Sequence, residues 1–245
     1  MPNQALSTIE IQTIFNDEIQ EAGGFNSDTF DDGARLFTRS ILSWHCDVRP
    51  GDQVKGGVAL KAAECDIAIH PYLFRTVCRN GAIMAHAIQT RQIENSDLLP
   101  REDVAEALRE AVRACCVEEA FTQAAQEVRV AVTNEVDLTI TMLPMFARLA
   151  SVNAGELLRQ ILSRFFGDAD RSRFGLMNAV TSIARDTRDP ELRWRLEELG
   201  GGIPVSRTPT PSLDPADELA AGDWNDRLDP SPDHSLVRSG WDSAR

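Results

Sequence analysis

The chain has 245 residues, 42% of them apolar and 26% charged, which is ordinary globular usage and excludes collagen-like, coiled-coil and wholly disordered identities. No apolar run approaches the roughly 20 residues a membrane span needs, and no basic segment leads into an apolar stretch at the start; a cytoplasmic protein without membrane attachment is expected. The net charge of −13 argues against indiscriminate binding to polyanions.

In chain order, residues 1–34 carry seven acids and no Lys or Arg, and the run Asp28, Asp31, Asp32 reads as a solvated turn ahead of a strand. Arg35–Leu42 mixes apolar and basic residues as a half-buried strand does. A turn at Pro50-Gly51-Asp52 follows, then a strand through Val54, Val58 and Leu60. A third strand alternates from Ile67 to about Val77 and is expected to turn at Asn80-Gly81 into Ala82–Gln92. The pattern then becomes helical. A long helix is predicted over Arg101–Val130, where Val104, Leu108, Val112 and Cys115 recur at helical spacing. Further helices are predicted at Ala154–Phe166, Arg173–Arg185 and Pro190–Leu199, the last ended by Gly200-Gly201-Gly202.

Strands segregated from helices imply an α+β fold: a small antiparallel β-meander packed on several helices. Residues 1–207 form one domain in this reading. Residues 208–245 hold five of the 12 prolines and eight acids against three arginines, so they read as a disordered acidic tail with spaced apolar residues suited to docking a partner protein.

Charge is unevenly spread. Residues 35–91 hold eight basic residues against four acids, a local excess of positive charge inside an acidic protein. Only Lys55 and Lys61 are lysines among the 25 basic residues, and arginine's planar fork suits phosphate and base stacking. Arg35, Arg39, Lys55, Arg75 and Arg79, with Asn80 at the turn, are the candidate phosphate contacts of a nucleic-acid groove. Arg75 and Arg79 lie four apart, on one face of an extended strand.

No P-loop, dinucleotide fingerprint, nucleophile elbow or H-E-x-x-H occurs. The five cysteines Cys46, Cys65, Cys78, Cys115 and Cys116 show no disulfide or zinc spacing and read as reduced thiols. Asp28, Asp31 and Asp32 as a magnesium site, or His45, Cys46, His70 and Cys78 as a converging one, are weaker readings than a solvated turn and ordinary packing. No catalytic residue, cofactor or metal ligand is assigned. Cys78, between two arginines, would be a reactive thiolate if exposed, though a cysteine at a strand end is more commonly a small buried residue.

The stretch GDQVKGGVALKAAECDIAIHPYLFRTVCRNG, followed by FGLMNAVTSIARD and LEELGGGI, resembles the phage/plasmid-like domain-of-unknown-function family 932 over about residues 30–203. Arg75, Cys78, Asn80 and Gly81 match one element of that family, and Asn178 and Thr181 match a later helix. Glu64-Cys65-Asp66 departs from the His-Asp-Gly-Ser-like turn of longer members. The resemblance implies a mobile-element setting in a bacterial host cell, where single-stranded DNA annealing proteins are common.

Three functions follow as expectations. The first is a phage- or plasmid-encoded protein that binds single-stranded nucleic acid in recombination or replication and self-assembles into a homo-oligomer. The second is an enzyme acting on a nucleotide or nucleic acid, in which Arg75, Asn80 and Asn178, with His70, meet in one concave site. The third is an anti-defence protein whose acidic face, including residues 1–34, binds a host protein.

Overall fold

The computed structural model describes residues 5–63, 65–149 and 153–205; the acidic tail at 208–245 lies outside them. The chain opens with α1 (Thr8–Glu21), which sequence reading missed although its start is written plainly. Ser7 and Glu10 form a reciprocal capping box, and Ile11, Phe15 and Ile19, four apart, make one buried stripe. Seven strands follow: β1 (Phe25–Asp31), β2 (Arg35–Ile41), β3 (His45–Arg49), β4 (Asp52–Ala63), β5 (Asp66–Arg75), β6 (Asn80–Ile83) and β7 (Arg91–Glu94). Six helices complete the described fold: α2 (Arg101–Cys116), α3 (Glu118–Thr133), α4 (Leu138–Leu149), α5 (Ala154–Gly167), α6 (Arg173–Asp186) and α7 (Pro190–Gly202).

The meander is therefore larger than three strands, but it is antiparallel and α+β as expected. Its spatial order is β1-β2-β4-β5-β6, with β3 also on β4 and β7 also on β5. The long strands β4 and β5 form the spine. Tyr72–Arg75 pairs with β6 and Asp66–Ile69 with β7, so two short strands share one edge of β5. Strand β1 escaped detection because FNSDTFD is an exposed, polar edge strand; its pairing with β2, not its own apolar pattern, makes it a strand.

Period-two alternation sends the two faces of the sheet to different helices. Leu36, Val58, Leu60, Ile67 and Ile69 pack with the buried faces of α1 and α2. On the other side Phe37, Ala59, Tyr72 and Ile83 pack around Trp194 of α7. A third cluster joins Val54, Leu73, Ala82 and Met84 to α3, α5, α6 and α7.

Two expected features are corrected. The long helix over Arg101–Val130 breaks at Val117, whose backbone is extended (ψ 148°). The break is stabilised because the Trp44 indole N–H donates to the freed Cys116 carbonyl at 3.1 Å. The triple glycine does not end α7; it lies inside it. A Cβ on Gly201 would run into the Ile83 carbonyl oxygen, so glycine there lets α7 sit directly on β6. Among the described residues, no helix is long and apolar enough to cross a membrane.

Candidate functional site

The expected continuous cationic stripe is absent from the sheet. Arg39 faces inward and is 2% exposed. Its Nε donates to Glu197 Oε2 at 2.6 Å, and its Nη1 lies 3.3 Å from Asp28. Arg193 closes the network on the same two carboxylates, at 2.8 Å from Asp28 and 3.1 Å from Glu197. Burial pushes the Glu197 carboxyl up against the pull of its two arginines. Arg35 is exposed but bound to Asp32, which holds it at the β1–β2 turn and is itself held below the usual carboxylate range by that hydrogen bond. Arg39 thus has no access to an external phosphate. A buried arginine in a strand looks the same in sequence as an exposed one, because its partner Glu197 is 158 residues away.

Arg75 and Arg79 do not share a strand face. Strand β5 ends at Arg75, the chain turns over Thr76–Arg79, and Arg79 takes a left-handed conformation with φ 51°. Asn80-Gly81, expected as the turn, instead begins β6 and pairs back on Arg75 and Phe74. A Cβ on Gly81 would collide with the Tyr72 ring, so the close packing of this hairpin requires glycine there. Arg75 binds the buried Asp52 through two 2.6 Å hydrogen bonds, while its Nη1 donates to Cys78 Sγ at 3.1 Å. Burial works against the Arg75 charge, but Asp52 more than offsets it and the guanidinium stays firmly protonated.

A cavity of about 700 Å³ opens between this hairpin and the facing sides of α5 and α6. It brings together Arg75, Asn80 and Asn178, expected from sequence to share a site, and adds Cys78 from the motif that resembles the family. Thr181 supports them from behind. Its hydroxyl donates to the Met177 carbonyl at 2.9 Å and accepts the Asn80 Nδ2 at 2.6 Å. Because the one hydroxyl proton is spent on Met177, the Asn80 nitrogen must face Thr181 and its oxygen must face away. Neither Asn80 Oδ1 nor Asn178 Oδ1 has a hydrogen-bond partner among the described residues.

Arg159, Arg164 and Arg185 also line this cavity and were not singled out from sequence. Each is held by a surface carboxylate, Glu156 for the first and Asp186 for the other two, and neither acid lines the cavity. Arg185 Nη1 also donates to the Cys78 carbonyl at 2.7 Å, tying α6 to the hairpin. One ionic partner does not exhaust a guanidinium's five donors, so these groups can still receive an anion. Asp168 is the only acid among the lining residues. The signal in sequence was faint: Arg159-x-x-x-x-Arg164 spans α5, and both ends point usefully only once α6 has docked.

The remaining expected groups lie elsewhere. His70 is 3% exposed beneath Trp194, its ring centroid 5.7 Å from the indole, and it does not line this cavity. Burial lowers its pKa to about 4. Among the described residues, no group of three or more His, Cys, Asp or Glu is placed to hold a metal ion. Of the acids in 1–34, Glu10, Glu18, Asp28 and Asp32 are each ion-paired with an arginine, which breaks up the acidic face expected there.

Searches against family models, curated proteins and solved structures found no match to the chain.

Proposed function

We propose that the protein binds a phosphate-bearing nucleotide, as a free mononucleotide or as the end of a strand, in the cavity between the β5–β6 hairpin and helices α5 and α6. The observation that carries this reading is the convergence of four arginines (Arg75, Arg159, Arg164 and Arg185) on one concavity with a single lining acid. About 700 Å³ falls within the usual range of small-ligand sites. Arginine forks suit phosphate oxygens, and the half-buried Asn178 adds an amide to the wall of the cavity. This favours a discrete pocket over a stripe along the sheet. A setting in replication or recombination of a mobile element is the part of this reading that rests on the motif likeness in the sequence alone, since no family model matches the chain.

Isothermal titration with a nucleoside 5′-monophosphate and with inorganic phosphate tests the proposal. Arg159→Ala with Arg164→Ala removes two surface-held arginines and should weaken monophosphate binding by about tenfold or more for each, the size of a hydrogen bond to a charged group. Arg35→Ala, far along the chain and bound to Asp32, should change nothing. Absence of saturable binding by the unmodified protein, or equal affinity in the double variant, refutes the reading.

A further inference from the structure

A second cavity, of about 510 Å³, lies at the same hairpin. It shares Asn80 and Arg185 with the first, so the two concavities meet at the tip of β5–β6. The turn divides the arginines between them: Arg75 lines only the first, Arg79 only the second. Lys55 joins Arg79 in the second cavity, and neither has an ion-pair partner among the described residues. The acids there are Asp28 and Glu197, both already bound to Arg193.

The second cavity also has what the first lacks. Its walls include Phe25, Tyr72 and Phe74, and Phe25 is 58% exposed at an edge strand. Val77, at the turn itself, is 61% exposed. A large aromatic side chain left in solvent beside uncommitted cations is the arrangement that binds unpaired bases: the ring stacks on a base while the cations meet the backbone. Paired bases do not fit this scheme, because their faces are already covered by neighbouring base pairs.

We infer that the two cavities form one track for a single-stranded nucleic acid, with a terminal nucleotide in the first cavity and the next base or bases against Phe25 in the second. The strand bends over the hairpin tip, where Arg79 and Arg185 meet the intervening phosphates. This extension rests on the nucleotide reading above and adds to it the class of ligand: a strand, not a mononucleotide.

The test is affinity against length, measured with the full chain and 5′-phosphorylated oligothymidylates of one, two, four and eight nucleotides, in deoxy and ribo forms. Affinity should rise at least about fivefold when the second base is added, the lower end of what one base stacked on an aromatic ring contributes. The slope of log K against log salt should steepen by about 0.7 for each further phosphate engaged. Growth should stop within a few nucleotides, where the track ends. Phe25→Ala with Arg79→Ala, both exposed, should abolish the gain that the strand shows over the monophosphate. Binding of the monophosphate with no gain on lengthening overturns the extension and leaves the nucleotide pocket standing. Failure of every length to bind overturns both. A duplex of the same length that binds as tightly as the single strand also overturns the extension.

Discussion

Replacing Arg39 by methionine tests whether this arginine belongs to the core or to a ligand site. The side chain is 2% exposed, as is Glu197, and the two are joined at 2.6 Å. Removing the guanidinium leaves Glu197 and Asp28 to share Arg193 alone. Breaking one partner out of a buried pair costs about 3–5 kcal/mol, and the surviving Arg193 contacts place this case near the lower end, about 3 kcal/mol. A domain's whole stability is about 5–15 kcal/mol, so the loss is large. Urea unfolding at pH 7, followed by tryptophan fluorescence, should show the midpoint falling by about 1–1.5 M for an m value of about 2–3 kcal/mol/M. Adding Glu197→Met should recover part of the loss, since the double variant no longer buries an uncompensated carboxylate while Asp28 and Arg193 remain paired. A loss below about 1 kcal/mol in Arg39→Met, or a drop in nucleotide affinity without a drop in stability, would refute this account and return Arg39 to the ligand site.

Two further outcomes are expected. His70 is neutral in the folded protein because burial lowers its pKa to about 4, against about 6.5 when unfolded, and burial outweighs Glu198 at 3.7 Å. The unfolded chain therefore takes up the proton first, so stability falls as pH drops from about 6.5 to about 4, by up to roughly 3 kcal/mol, and levels off below. His70→Gln should flatten that part of a stability-versus-pH curve; parallel curves for the two proteins would count against it. Gly201→Ala forces a methyl group onto the Ile83 carbonyl oxygen and should cost about 1–3 kcal/mol, lowering Tm by several degrees. Gly155→Ala, with open space around it, should be neutral or slightly stabilising, and equal calorimetric shifts in the two variants would show that close approach is not the reason for Gly201.

What could be read from sequence followed local rules. Alternation marked β4 and β5, helical spacing marked α2, α5, α6 and α7, and the segregation of strands from helices marked α+β. The capping box at Ser7 and Glu10 is an equally local signal. The convergence of Arg75, Asn80 and Asn178 was an expectation carried by a strand-end argument, and these three line one cavity, whereas His70, expected with them, does not. Arg159, Arg164 and Arg185 were not foreseen, because nothing in their neighbours distinguishes a cavity-lining arginine from one on a solvated helix face.

Periodicity and turn chemistry act over a few residues, so the amino-acid order was enough to mark the strongly patterned strands and helices and where positive charge is concentrated along the chain, but not the polar edge strand β1 or the break between α2 and α3. It did not settle where each charge points. Arg39 is inside because Glu197, far along the chain, arrives opposite it when α7 docks on the sheet. Arg75 and Arg79 face different cavities because the turn between them reverses the chain. Ion pairing and cavity formation depend on distances of a few ångströms between segments remote in sequence, and only the folded arrangement sets those distances.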